Sequence, residues 1–303
     1  MENSTIFGPV NSRRFGVSLG IDLSPAFKQC NFDCLYCELA PSATTPKQQQ
    51  SVSVKNVIDE LQKHLNNKID VITITANGEP TLYPYLNELV EEIDKIKVKT
   101  QTLILTNSAT LTDEKVFNTL LKLDQVKLSL DAISENVFKK IDRPDKTINI
   151  KNITKSIAEF SKQFQGKLFI EILFVDTINN KIDEIKKLND FLLTIKCERI
   201  DIGTIDRPPA YGVKGINYDE LYEISKLFDS SLNIHIASRQ NISSKANSYT
   251  EDEILNTLEK RPLTQADIDI LFDEKSKSLL SKLIAEKKIA IKTLNKLDFF
   301  KKA

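Results

Sequence analysis

The chain has 303 residues, enough for one large domain plus a small appendage. Its 41% hydrophobic and 28% charged residues are those of a globular protein, and Lys+Arg balance Asp+Glu at 42 each. That balance speaks against a dominant nucleic-acid or membrane-binding face, and no apolar run approaches the roughly 20 residues of a spanning helix. Because no charged leader with an apolar run opens the sequence, a cytoplasmic protein without membrane partners is expected.

In chain order, strands are expected at Val17–Leu23, Ile69–Thr75, Thr102–Thr106, Val126–Leu130, Leu168–Val175 and Ile200–Thr204. Each is rich in β-branched residues or alternates apolar with polar. Between them, Val54, Val57, Ile58, Leu61 and Leu65 form one apolar stripe. Leu86, Leu89, Val90 and Ile93 recur at helical spacing. Thr112–Leu123, Ile148–Phe164, Lys181–Ile195 and Tyr218–Leu227 follow the same rule. Alternating strands and helices predict βαβ units, a parallel sheet and a full or partial barrel of about six units. Chemistry on such a barrel sits at the C-terminal ends of the strands.

The polar stretch 240–250 (QNISSKANSYT) is the expected boundary between a barrel at 1–240 and an appended unit at 241–303. Beyond it, Glu251–Glu259, Thr264–Leu271 and Glu274–Glu286 are expected helices. Ile289–Leu294 and Leu297–Phe300 are expected to pair as a hairpin, and helices and hairpin together make a winged-helix-like plan of near-neutral charge.

Three of the four cysteines fall in one short loop, Cys30-Asn-Phe-Asp-Cys34-Leu-Tyr-Cys37, after the first expected strand. Thiols this close in a large chain argue for a metal centre over a disulfide framework. A cubane cluster has four irons, so three cysteines leave one iron open, as catalytic centres do. Structural zinc is the competing reading and needs a fourth ligand from Cys197, His64 or His235. Apart from that, Cys197 reads as a small buried hydrophobe.

The C-x3-C-x2-C pattern, with Tyr36 before its last cysteine, resembles the signature of the radical S-adenosylmethionine (SAM) superfamily. The resemblance implies a partial (β/α)6 barrel and a [4Fe–4S] cluster on Cys30, Cys34 and Cys37. It also implies that the open iron chelates SAM. One electron then yields methionine and a 5′-deoxyadenosyl radical that abstracts a substrate hydrogen. Gly78-Glu79-Pro80 resembles the motif that contacts the SAM amino group, with backbone carbonyls and Glu79 as acceptors. Thr106-Asn107-Ser108 and Ser129-Leu130-Asp131 resemble the positions used for the SAM ribose and carboxylate, and helix capping is their ordinary alternative. Glu171, inside a strand, should face the barrel lumen or a partner, because a lone buried carboxylate is costly, and it is a candidate cofactor-binding residue of the active site. Arg13, Arg14, Arg143 and Arg207 stand on loops where a guanidinium can grip a carboxylate or phosphate.

A wider pattern (GPVNSRR, SLGIDL, NGEPTLYP, LTNSATL, KLSLDA, RPPA) resembles a bacterial and archaeal group related to the wyosine-base-forming enzymes of tRNA modification. Wyosine formation, methylthiotransfer, peptide maturation with auxiliary clusters and RNA methylation in this superfamily all require further cysteines. Only Cys197 remains, so a single-cluster enzyme is expected. Its substrate is open among a small molecule, an RNA and a peptide, and the family implies a flavodoxin or ferredoxin as electron donor. A tRNA- or RNA-base-modifying enzyme is the alternative. The non-enzyme alternative is a zinc-dependent nucleic-acid- or protein-binding module.

Overall fold

Alternation in the strands decides what lies on each side of the sheet. The computed structural model describes residues 4–12, 14–66, 68–236, 248–260, 262–294 and 297–303. One sheet carries eight strands in sequence order: β1 Ile6–Ser12, β2 Gly16–Asp22, β3 Val71–Thr75, β4 Gln101–Thr106, β5 Gln125–Ser129, β6 Lys167–Phe174, β7 Arg199–Thr204 and β8 Ile234–Ile236. From β2 to β8 every neighbouring pair is parallel, while β1 returns antiparallel along β2. Among the described residues β1 and β8 do not pair with each other, so the sheet curls into an open, partial barrel.

The six expected strands are all present, and β1 and β8 are additions. Gly8 and Pro9 break the alternation of β1, which is what an edge strand tolerates. The three-residue β8 is too short to carry a periodic signal.

Helices cover the outside: α1 Val54–His64, α2 Leu86–Ile96, α3 Glu114–Leu120, α4 Glu135–Ile141, α5 Ile150–Gln163, α6 Ile182–Leu192 and α7 Tyr218–Ser225. Ser53 caps α1 through Asn56 N, and Asn217 with Glu220 forms a capping box on α7. Their apolar stripes meet Leu19, Ile21, Ile72, Ile74, Ile104, Val126, Leu128, Ile170, Ile172 and Ile202, all fully buried. The opposite faces of the same strands point inward. Cross-strand partners there include Ser18–Val71, Thr73–Leu103, Leu105–Lys127, Ser129–Glu171 and Glu171–Asp201. The lumen is thus far more polar than the shell. The short helix α4 was not expected; it buries only Phe138 and Ile141.

The C-terminal part comprises α8 Glu251–Lys260, β9 Leu263–Thr264, α9 Gln265–Leu271, α10 Glu274–Ala285, β10 Ile289–Leu294 and β11 Leu297–Lys302. The three helices and the hairpin were expected. The two-residue β9 adds a third strand beside β11. A second core of Tyr249, Ile254, Leu258, Leu263, Ile268, Phe272, Leu283 and Phe300 belongs to this part alone. It meets the barrel where α8 lies on β1 and the Tyr249 hydroxyl donates to the Pro9 carbonyl at 2.5 Å. Residues 240–247 of the expected boundary lie outside the described residues. No described helix is long and apolar enough to cross a membrane.

Candidate active site

Parallel strands deliver their following loops to one rim, and the cysteine loop after β2 is fastened there from several sides. The Asp33 and Leu35 amides donate to the Asp142 and Ile141 carbonyls at 3.1 and 2.8 Å, at the C-terminal end of α4. Ala210 N donates to the Cys37 carbonyl at 2.7 Å, tying in the loop after β7. The Asp33 carboxylate holds Lys28 at 3.1 Å, Arg143 at 3.3 Å and the Tyr211 hydroxyl, and Arg143 lies 4.6 Å above the Tyr211 ring. Arg143 therefore braces the cysteine loop.

The three thiols are close enough to feel one another's charge, although among the described residues no group of three or more His, Cys, Asp or Glu side chains is gathered as a metal site. Burial raises the Cys30 thiol to about 12 and also raises Cys34 and Cys37. Cys34 is pushed further by Asp142 and by the other two thiols. The Lys28 ammonium works against this at Cys30 and Cys37. Around the sulfurs, Phe32 N donates to Cys30 Sγ at 3.4 Å, Asn107 Nδ2 approaches it at 3.8 Å, and Cys34 Sγ donates to Asp142 Oδ1 at 3.5 Å. Soft sulfur donors with N–H groups and a cation beside them are of the chemical type that suits an iron–sulfur cluster. The fourth-ligand candidates for zinc are elsewhere. His64 ends α1 and Cys197 precedes β7, both on the opposite rim, and His235 Nδ1 sits 3.3 Å from Asp201.

The Gly78-Glu79-Pro80 loop after β3 locks onto the cysteine loop. Gln29 N donates to Asn77 O at 2.8 Å, and Glu79 N donates to Gln29 O at 3.0 Å. Gly78 has φ +125°, and a Cβ there would stand 2.0 Å from the Gln29 carbonyl oxygen. Glu79 is buried beneath the loop. Its Oε1 accepts from Thr81 N, Thr81 Oγ1 and Thr106 Oγ1 at 3.1, 2.6 and 2.6 Å, and Oε2 accepts from Asn107 N at 2.7 Å. Burial raises its pKa, and these four donors oppose the rise. Pro80 opens a short 3₁₀ turn.

Asn107 follows β4 and spans Cys30 and Asn31, with Nδ2 at 2.7 Å from Asn31 Oδ1. Ser129 ends β5, and its carbonyl accepts from Ser108 Oγ at 2.8 Å. Asp131 accepts from the Tyr36 hydroxyl at 2.5 Å and from Leu173 N at 2.7 Å. Burial, with the Glu171 charge, raises the pKa of Asp131, and burial, with the Asp131 charge, raises that of the neighbouring Asp142.

Below this rim the barrel encloses a chamber of about 490 Å³, whose lining includes Gly78, Pro80, Lys127, Glu171, Glu38 and Arg207. Arg207 donates to Glu38 Oε1 at 2.6 Å on its wall. Glu171 faces the lumen, as its cost of burial required, and its two oxygens are held by Arg14 and by Lys127, the latter at 2.5 Å. Arg13 lies outside the described residues.

Sequence reasoning missed Asn31, Glu38, Asp142, Tyr211, Asp201 and Lys127. Of these, Lys127 carried a signal: it shares the inward register of Gln125 and Ser129 in a strand that alternates polar with apolar.

An eight-stranded open barrel with three thiols and a Gly-Glu-Pro loop on one rim defines a class of cofactor-dependent α/β enzyme. The radical SAM superfamily model matches residues 25–192, more than half of the chain, and the chain belongs to that superfamily. It is an enzyme, and the cofactors of its family are a [4Fe–4S] cluster and SAM. The chain is 40% identical over 300 residues to a UPF0026 protein of Helicobacter pylori strain J99, covering 97% of this chain and 96% of that one. The fold is shared with SuiB of Streptococcus suis bound to S-adenosylmethionine, at TM-score 0.56 and 18% identity over 70% of this chain. The chain spans about half of that protein, 49% of its length. A structure of TYW1 with a lysine-pyruvate adduct bound aligns at TM-score 0.53 and 17% identity, covering 71% of this chain and 74% of that one.

Proposed function

We propose that the chain cleaves SAM reductively at a single [4Fe–4S] cluster held by Cys30, Cys34 and Cys37, and turns the resulting radical on a small substrate in the chamber. The observation that carries this reading is the convergence of the cysteine loop, the Gly78-Glu79-Pro80 loop, Asn107 and Asp131 on one hydrogen-bonded rim above that chamber. A cluster held by Cys30, Cys34 and Cys37 would supply the one-electron reduction that divides bound SAM into methionine and a hydrogen-abstracting 5′-deoxyadenosyl radical.

The remaining work falls to the chain. Glu79 pins the ends of β3 and β4 from below, so the loop carbonyls above it face an incoming ammonium. Asn107 and Ser129 supply polar groups for the ribose and carboxylate, and Asp131 orients Tyr36 against the cysteine loop. Lys28 offsets thiolate charge. A flavodoxin or ferredoxin supplies the electron. Residues 1–240 form the catalytic barrel and 241–303 a winged-helix-like domain, a division supported by the two separate cores.

Anaerobic reconstitution with iron and sulfide, reduction with dithionite and assay for 5′-deoxyadenosine test this reading. About four irons per chain and 5′-deoxyadenosine formation are expected in the wild type. Cys34→Ala should lose both while keeping its far-UV circular dichroism. Bound zinc without SAM cleavage in the wild type, or an intact cluster in that variant, sinks the assignment.

A further inference from the structure

The inner end of the chamber gathers two cations around one carboxylate. Arg14, from the β1–β2 turn, and Lys127, from the middle of β5, stand on either side of Glu171. The nearby Asp201 is wholly buried and lies 3.6 Å from Arg14. It is already taken by the Arg199 fork at 2.8 and 3.2 Å, with His235 Nδ1 3.3 Å away. Glu171 is thus shared by two cations that face the cavity, with Asp201 committed behind them and Asp206, also on the chamber lining, near Arg14.

Lys127 is the sharper case. Its side chain is only 10% exposed. An ammonium has three donors, and among the described residues Glu171 is the one acceptor recorded for it. Buried donors need partners, and here the open direction is the chamber.

We propose that Arg14 and Lys127 bind an oxyanion of the substrate, so that this enzyme acts on a small molecule bearing a carboxylate or phosphate group. The charged group sits at the inner end, and the C–H to be attacked points toward the cysteine rim. Lys127 lies two residues below Ser129 on one strand, about 7 Å at roughly 3.3 Å per residue. The anionic group and the reacting carbon are then separated by only a few bonds. An arginine fork and a lysine point charge together suit either oxyanion. Burial and the neighbouring Arg14 lower the Lys127 pKa, although Glu171 and Asp201 raise it.

The substrate class rests on the radical SAM reading, but the anion site is tested without turnover. Calorimetric titration of the full-length protein with inorganic phosphate, and separately with acetate, at constant ionic strength distinguishes the two oxyanions. Saturable binding of at least one is expected. Lys127→Met should weaken it by about tenfold or more, and Glu171→Gln should tighten it by a similar factor, because the competing carboxylate is gone. These opposite signs separate an anion site from an ion-pair cluster that only supports the fold. Binding of neither anion overturns the proposal, and so does binding indifferent to both variants or weakened by both. If Lys127→Met does not fold, Glu171→Gln decides alone: tighter binding supports the site, and unchanged or weaker binding overturns it. Wild-type 5′-deoxyadenosine formation is scored in parallel. Its failure would remove the radical SAM reading and leave the anion result standing.

Discussion

Glu171 shows how one carboxylate is kept charged inside a barrel. Burial alone would raise its pKa, but Lys127 and Arg14 override that and hold it at about 2. The unfolded value is about 4.3. The folded pKa is thus depressed, so the ion pairs stabilise the protein fully above the unfolded value, and the contribution disappears as pH falls toward about 2. Wild-type stability should decline over that window by an amount on the order of 1–3 kcal/mol from this group. In Glu171→Gln the decline should be smaller, as read from denaturant midpoints at a series of pH values. An identical pH profile in the variant would remove Glu171 as a source. That a carboxylate inside β6 must face the lumen is legible in the sequence, since its cost of burial demands a partner. The identity of the partners is not legible, because Arg14 is 157 residues away and Lys127 44.

At the scale of elements, two loops that follow neighbouring parallel strands act as one piece. The cysteine loop and the Gly78-Glu79-Pro80 loop exchange backbone hydrogen bonds through Gln29, and this contact requires a residue without Cβ at position 78. Gly78→Ala would bring a methyl group against backbone at 2.0 Å in a φ region that disfavours side chains. It should separate the two loops, costing about 2 kcal/mol or more, and reduce the iron retained after reconstitution. Iron content and thermal midpoint measure both effects. Wild-type iron in a folded variant would mean that the loop junction does not support the cysteine site. The motif itself could be read directly from the sequence. Glu79 could not be oriented from it: the carboxylate turns down onto Thr81, Thr106 and Asn107, and those donors arrive only when β4 pairs with β3.

In the molecule as a whole, the C-terminal part is joined to the barrel at its antiparallel edge. Tyr249 sits in the second core and donates from there to Pro9 on β1. Tyr249→Phe keeps the ring and removes that hydrogen bond, so a loss of about 1 kcal/mol is expected. Faster amide exchange in β1 than in β5 should accompany it, because only the edge strand loses support. Uniform exchange changes across the sheet would count against a localized joint. The sequence alone anticipated the helices and hairpin of this part, through their 3.6-residue periodicity and strand alternation, but not β9, which two residues cannot announce.

By itself the sequence determined the alternating α/β rhythm, the lumen-facing direction of Glu171 and the cysteine and Gly-Glu-Pro motifs. All of these depend on residues within one turn or one loop of each other. Tertiary structure alone decided that β1 closes along β2 and that Arg143 braces the cysteine loop. It also decided that Arg14, Lys127 and Glu171 meet at the inner end of one chamber. The reason is strand register: a period of two fixes which face a side chain takes, but only pairing across the sheet fixes its neighbours at the same height.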